Sequence, residues 1–220
     1  MLTKSGIGAT VLASCFLVAG CATSRSEIKL SSPVAVPSSA AASSGKTVVI
    51  RSVKDERAFE AAPRDPSTPS LGFEGADQAS ADVKSRAIGR KRNGYGKAMG
   101  DILLQGDQTV AGVVRENLGA ALEQAGYEVR SESAAGQSPL VIDVHIKQFW
   151  AWLQPGFWAI KLNANIATDL ELSGAALQTT VSVHAEDSRQ LGTDGAWMEI
   201  VAKALEAYRG QVVEKAAAFR

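Results

Sequence analysis

The chain has 220 residues, and its 23 basic and 23 acidic side chains leave a formal net charge of zero. This balance gives no basic footprint for nucleic acid, and the length suits one packed domain with flanking segments. Both cysteines, Cys15 and Cys21, lie near the start, so the rest of the chain offers no disulfide, thiolate zinc site or cysteine nucleophile. A thiol-free domain suits an oxidising compartment such as the periplasm.

A short apolar segment opens the chain. Lys4 gives it a positive start, and the mostly apolar residues 7–18 are too few to span a bilayer as a helix. The stretch LVAGC at 17–21 resembles the lipobox of bacterial lipoproteins, in which the cysteine is acylated and the chain is cut before it. We therefore predict a signal peptide over 1–20 and a lipid anchor at Cys21. The alternative is an ordinary secretory leader that contains a cysteine.

The residues after Cys21 predict a location and a tether. In the lipoproteins that the lipobox resembles, an Asp after the cysteine retains the protein in the inner membrane. Ala22 stands there instead, which implies the periplasmic side of the outer membrane. Residues 21–46 are rich in Ser, Ala and Pro, so we predict a flexible tether that spans roughly 25–30 Å. A single periplasmic domain over 47–220 remains.

The first part of this domain alternates a strand, loops and a helix. The β-branched run 47–53 predicts the first strand. Residues 61–82 predict a loop because Pro and Gly break every period, and the basic, glycine-rich residues 83–100 predict a further connection. Apolar residues at spacings of three and four predict a helix over 107–126. Asp107 or Thr109 would cap its start and Gly126 would end it.

The second part predicts three strands and a final helix. Apolar and polar residues alternate over 139–153, 157–172 and 177–186, and an amphipathic helix follows from about Asp194. Strict alternation assigns Trp150, Trp152 and Trp158 to the buried face and Phe149 to the other face. The predicted fold class is α+β: a two-layer sandwich of an antiparallel sheet, formed by a meander over 139–190 and the N-terminal strand, with two amphipathic helices on one face.

The order of these elements resembles that of YajG-like bacterial outer-membrane lipoproteins over roughly 45–220. The sequences that carry the resemblance are VKDER at 53–57 and AALEQAGY at 120–127, followed by a Leu- and Val-rich strand. The AL…GY pattern is also similar to that of lipopolysaccharide-assembly and ABC-transport auxiliary lipoproteins. The resemblance implies an outer-membrane-anchored α+β domain and transfers no catalytic residues.

Two groups of residues are candidates for partner binding. The stretch GRKRNGYGK at 89–97 offers cations and backbone N–H groups to phosphate, glycolipid or an acidic partner, and its alternative is a solvated connection. Aromatic residues at the tip of the predicted hairpin at 155 would form a docking surface if exposed, and core packing is their alternative. The candidate residues are Arg90, Lys91, Arg92, Tyr95, Lys97, Phe149 and Phe157.

Polar residues of the meander are weaker candidates for chemistry. Folding the strands about their turns brings Lys147, Asn163 and His184 abreast, with His145 one step along, and sets Lys161 opposite Glu186 in an ion pair. We interpret this as a solvated polar face, since a flat sheet lacks the concavity of a catalytic site. Ser182, His184 and Asp187 form a triad only on paper, because no nucleophile elbow surrounds them. We predict no metal, cofactor or catalytic residue.

Three functional hypotheses follow. The first is a non-enzymatic accessory or binding module that sits in the membrane through acylated Cys21 and contacts an envelope protein or glycolipid. The second is a lipid- or glycolipid-handling lipoprotein, which a large apolar cleft beside 89–97 would favour. The third is an envelope enzyme, which would need a deep pocket that holds His145 or His184 beside a carboxylate.

Overall fold

The computed structural model describes residues 24–34, 46–73, 75–93, 95, 97–136, 138–156, 158–173 and 177–219. The predicted signal peptide, Cys21 and Phe157 lie outside the described residues. The elements are, in chain order, β1 Ser26–Ile28, β2 Thr47–Asp55, α1 Gly75–Gln78, α2 Ala81–Arg86, β3 Ala87–Arg92, β4 Ala98–Leu104, α3 Val110–Gln124, β5 Glu128–Val129, β6 Leu140–Gln154, β7 Ile160–Ser173, β8 Leu177–Arg189 and α4 Asp194–Ala216.

The long strand β6 organises the sheet. β7 and β8 follow it in antiparallel order, so the predicted meander is confirmed. On its other edge β6 pairs in parallel with β2 along its first half and with β3 at Gly89 and Ala151 in its second half. β4 pairs antiparallel with β3, β1 pairs parallel with β4, and β5 pairs parallel with β2.

The sheet is therefore mixed, and the prediction that the N-terminal strand joins an antiparallel sheet is wrong. The chain passes from β2 to β6 only after the β3–β4 hairpin and α3. A long connection of this kind allows two strands to pair in parallel, whereas the tight turns of the meander require antiparallel pairing.

The two predicted long helices are confirmed and pack into one main core. Thr109 caps α3 by accepting a hydrogen bond from the Gly112 N–H at 3.1 Å, and Gly126 follows the helix with a φ of +89°. Thr193 caps α4 in the same way. The apolar stripes of both helices are buried against the sheet; their members are Val110, Val113, Val114, Leu118, Ala121 and Leu122 in α3, and Trp197, Ile200, Val201, Ala204, Leu205, Tyr208 and Val212 in α4.

A β-bulge in β6 reverses the faces that strict alternation predicts. Ile146 pairs with Thr168 but Gln148 pairs with Ala167, so Lys147 is an extra residue. One inserted residue moves every later side chain to the opposite face. Phe149, assigned to the outer face, is therefore in the main core and only 1% exposed.

The tryptophans of β6 lie on the other face for the same reason. Trp150 and Trp152 form a second core with Leu71, Ala87 and Leu103, so the prediction that they share a face with Ile142 is wrong. Trp158, also assigned to the core, is 84% exposed in the β6–β7 turn.

The segment between β2 and β3 covers this second core. Phe59 contacts Trp150 edge-to-face, with ring centroids 6.2 Å apart, and the Trp150 indole N–H donates to the Pro66 carbonyl at 3.2 Å. The predicted loop over 61–82 thus contains the short helix α1 and the start of α2, and this segment forms a third layer over half of the sheet. The prediction of two layers holds only for the other half, where the outer face is polar.

The predicted tether over 21–46 is wrong for residues 24–34. β1 pairs with β4, with Ser26 opposite Ile102, and both Ile28 and Leu30 are buried. The Gln108 side chain clamps the backbone of Leu30: its oxygen accepts from the Leu30 N–H at 3.0 Å, and its amide donates to the Leu30 carbonyl at 2.8 Å. The two apolar residues alternate with exposed charged ones, a strand pattern within a Ser-rich segment.

Candidate functional site

Three connections meet at one end of the sheet. β3 runs parallel to β6, so the β3–β4 turn lies at the same end as the β6–β7 turn. β8 ends at Arg189, opposite Ile160 of β7, so the β8–α4 connection is also there. β1 starts toward this end because it runs parallel to β4. We call this part of the molecule, with Tyr95, Trp158 and Leu191 on its three connections, the hairpin end.

The hairpin end exposes large apolar side chains. Tyr95 is 99%, Trp158 84% and Leu191 71% exposed. Phe73 is 64% exposed. It also lies at this end of the sheet, because the preceding Gly72 packs against the Met99 carbonyl at the start of β4. Single exposed apolar residues are ordinary, but a group of them at one end marks a contact surface.

The basic stretch over 89–97 is a β-hairpin rather than the predicted connection. Asn93 organises its turn: the Asn93 side-chain oxygen accepts from the Tyr95 N–H at 3.0 Å and the Lys97 N–H at 2.9 Å. The Asn93 N–H donates to the Lys97 carbonyl at 3.0 Å. Asn93 therefore fixes the backbones of Tyr95 and Lys97, and both side chains lie in solvent.

The other cations of this stretch mainly hold the chain together. Arg90 is half-buried and donates to the Ser70 hydroxyl and the Met99 carbonyl, both at 3.3 Å. The Lys91 ammonium donates to the Ser26 hydroxyl at 2.6 Å and the Ser24 carbonyl at 3.3 Å. Arg92 is half-buried. Of the predicted binding cations, Lys97 is the most exposed and Arg90 the least suited to a partner.

A buried carboxylate joins three segments behind the hairpin end. Asp101 is fully buried; it accepts from Arg25 Nε at 3.1 Å and from the Gly72 N–H at 2.7 Å. The Arg25 guanidinium also lies over the Phe73 ring, 4.5 Å from its centroid. Sequence reasoning missed this cluster, because the two charged residues are far apart in the chain.

Arg57 is a second buried junction that the sequence analysis missed. Its guanidinium forms a two-point contact with the Asp55 carboxylate at 2.8 and 2.7 Å and donates to the carbonyls of Ala87, Phe149 and Lys84. These contacts use all five donors. Arg57 thus links β2, β3 and β6 at the position where β6 changes its pairing partner from β2 to β3. Part of the VKDER motif that carries the family resemblance is therefore structural.

The polar outer face holds two ion-pair clusters. Glu56 lies 2.6 Å from both His145 Nδ1 and Lys147 Nζ, and these two contacts lower the pKa of Glu56 to about 2. Arg51 forms an ion pair with Asp143, and together with the Ser52 hydroxyl it lowers the pKa of Asp143 to about 2. Both carboxylates are therefore charged at neutral pH and satisfied by their neighbours.

The two histidines do not converge. His145 pairs with Asp169 in the sheet, whereas His184 pairs with Asn165 and bonds its side chain at 2.7 Å. The predicted alignment of Lys147, Asn163 and His184 is also wrong: Asn163 lies opposite Trp152 on one side and Glu186 on the other.

The remaining predictions for the meander have mixed outcomes. The Lys161–Glu186 ion pair is confirmed at 2.9 Å, but the two residues are diagonal neighbours, since Lys161 lies opposite Ser188. Ser182, His184 and Asp187 do not form a triad, because Asp187 forms an ion pair with Arg189 rather than contacting His184. Within the described part of the chain, His, Cys, Asp and Glu side chains form no group of three that could hold a metal ion.

Two surface grooves border the N-terminal segment. One, of about 490 Å³, lies between 32–33 and α3 and is lined by Arg115, Gly119 and Arg130. The other, of about 380 Å³, lies between 29–34 and α4. Neither is lined by a residue of 89–97, where a lipid-handling protein would need its cleft. Among the described helices, none has the length and hydropathy needed to cross a membrane.

Comparisons with known proteins identify no family for this chain. No protein-family model matches the chain, and no curated protein matches it. A solved structure titled "Crystal structure of uncharacterized protein" is similar over 90% of this chain and 99% of that chain, at 12% identity and a TM-score of 0.41.

Proposed function

We propose that this chain is an outer-membrane lipoprotein, anchored on the periplasmic side through acylated Cys21, whose domain is a non-enzymatic binding module of the cell envelope. The lipobox-like LVAGC at 17–21 supports the anchor. One observation carries the binding role: Tyr95, Trp158, Leu191 and Phe73 are exposed together at the hairpin end. Burying these side chains against a partner would remove apolar surface from water, which is the main driving force for association.

The organisation of the polar residues supports a binding module over an enzyme. Catalysis needs a concave site in which titratable groups converge. Here Glu56, Asp143 and Asp101 are each paired with cations of their own chain, and the two histidines lie on separate parts of the sheet.

The anchor is tested by replacing the cysteine. Cys21→Ser removes the thiol that receives the lipid, so we expect a precursor that incorporates no labelled palmitate and keeps its leader. Cys15→Ser is the matched control, since it lies within the predicted signal peptide, and it should be labelled and cut normally. Palmitate labelling of Cys21→Ser at the wild-type level would overturn the anchor.

The binding surface is tested by photocrosslinking in intact cells. A photoreactive phenylalanine analogue in place of Tyr95 should form an adduct with an envelope component, identified by mass spectrometry. The same analogue at Gln178, which is exposed at the opposite end of β8, is the control and should give no such adduct. Equal crosslinking at both positions would contradict a binding role for the hairpin end.

A further inference from the structure

We infer that the hairpin end is a membrane-contact surface and that its partner is the phospholipid headgroup layer of the membrane that holds the anchor. This inference rests on the proposed acylation of Cys21. It names the partner of the proposed binding surface and the orientation of the domain: the β3–β4 and β6–β7 turns point toward the lipid.

The reach of the chain supports this orientation. Ser24 contacts the hairpin, because its carbonyl accepts a hydrogen bond from Lys91. Two residues, Ala22 and Thr23, separate Ser24 from Cys21, so the Cα atoms of Cys21 and Ser24 are three steps and at most about 11 Å apart. A lipid on Cys21 therefore keeps Ser24, two residues before β1, within about this distance of the membrane. Because β1 starts toward the hairpin end, that end is held nearest to the lipid.

The exposed residues of the hairpin end have the chemistry of an interfacial surface. Tyr95 and Trp158 have amphipathic rings, which favour the headgroup level of a bilayer. Their two turns are two strand spacings apart, or about 10 Å, so one flat surface can contact both. Leu191 lies on the next connection along the sheet and Phe73 lies beside β4, and both add apolar area.

The charge of the hairpin matches phospholipid headgroups. No acidic residue occurs between Asp82 and Asp101, whereas the hairpin itself contains Lys91, Arg92 and Lys97. Two carboxylates close to the hairpin are engaged: Asp101 is buried with Arg25, and Asp65 accepts from Ser67 and interacts with Arg92. Cations close to an anionic membrane surface are attracted to it, and they pair well with phosphate oxygens.

Trp158 allows a direct measurement, because the other three tryptophans are buried. The full acylated protein is reconstituted into vesicles of phosphatidylethanolamine and phosphatidylglycerol whose acyl chains carry bromine near the headgroup. Bromine quenches indoles at the interface. We expect wild-type emission to fall, relative to unbrominated vesicles, by about the share that Trp158 contributes. Trp158→Phe should lose nearly all of this quenching.

A pair of charge variants tests the role of the cations. Arg92→Gln with Lys97→Gln should reduce quenching of Trp158 in vesicles that contain phosphatidylglycerol. The matched control, Lys54→Gln with Lys215→Gln, removes two cations outside the hairpin end and should leave quenching unchanged. Equal quenching in both double variants would overturn the contribution of the basic hairpin.

The outcomes separate this inference from the proposal on which it rests. Mass spectrometry of the purified protein reports whether Cys21 is acylated. An acylated, vesicle-bound wild type that is quenched no more than Trp158→Phe would overturn the membrane-contact surface and leave the anchor standing. Capture of an envelope protein by the analogue at position 95, without lipid adducts, would do the same. A protein without an acyl group on Cys21 would overturn the proposed anchor itself.

Discussion

Arg57 joins three segments through one buried side chain. Its guanidinium holds the end of β2, the α2–β3 junction and the bulged part of β6. Removing it leaves three carbonyls without this donor and Asp55 without its cation. A buried group that loses its partner costs its full desolvation penalty, so the loss exceeds the net value of the hydrogen bonds.

We expect Arg57→Leu to lower the free energy of unfolding by roughly 3 kcal/mol. Chemical denaturation followed by tryptophan fluorescence measures this, because Trp150 directly follows Phe149, whose carbonyl bonds Arg57. Arg64→Leu is the matched control: Arg64 is exposed, and surface substitutions usually change stability by less than about 0.5 kcal/mol. Similar losses in the two variants would contradict the structural role of Arg57.

Asp143 gives a prediction for pH. Hydrogen bonds from Arg51 and Ser52 lower the pKa of its carboxyl from 3.8 to about 2 in the folded protein. The folded state thus favours the charged carboxylate, and the resulting stabilisation is complete above pH 3.8 and lost as the pH falls through 2.

We therefore expect Asp143→Asn to unfold at a lower temperature than the wild type at neutral pH, and this difference to shrink between pH 4 and pH 2. Thermal unfolding at several pH values measures both variants under the same conditions, so the titration of other carboxylates cancels in the difference. A difference that stays constant down to pH 2 would show that the ion pair does not act through the charge of Asp143.

At the scale of elements, the sequence predicts the individual helices and strands well but predicts poorly which distant strands pair. Both long helices and the meander follow from spacing and turn residues, because those signals are local. The bulge at Lys147 has no local signal, since the sequence of β6 alternates on both sides of it. It arises where β6 changes its partner from β2 to β3. The error over Phe149 and the tryptophans therefore has a tertiary cause.

The N-terminal segment shows the same limit. Composition alone predicts that residues 24–34 belong to a flexible tether. Only two apolar side chains, Ile28 and Leu30, indicate that this segment is packed. Their partners lie in β4 and at Gln108, more than 70 residues further along the chain. The candidate site was predicted only in part. Tyr95 and Lys97 are exposed, as the local basic stretch predicts. Trp158 was assigned to the core by strand alternation, but it lies in the β6–β7 turn and is exposed.

The Gln108 clamp provides a test of this segment. Gln108→Ala removes both hydrogen bonds to the Leu30 backbone. We expect a loss of roughly 1–2 kcal/mol and faster amide exchange in the peptide that contains 28–30, measured by hydrogen–deuterium exchange. Gln124→Ala, at an exposed position in the last turn of α3, should leave the exchange of this peptide unchanged. Unaltered exchange in Gln108→Ala would mean that β1 alone retains the segment.

For the whole molecule, the short connection between Cys21 and Ser24 replaces the predicted span of roughly 25–30 Å with a reach of about 11 Å. Contact between the hairpin end and lipid should therefore depend on that length. Inserting about ten Gly and Ser residues between Thr23 and Ser24 adds roughly 17 Å of flexible chain, so we expect Trp158 quenching in brominated vesicles to fall markedly. The same insertion between Val34 and Lys46 leaves the connection to β1 unchanged and should preserve quenching. If the two insertions behave alike, contact does not depend on this connection, and the affinity of the hairpin end for lipid alone determines the orientation of the domain.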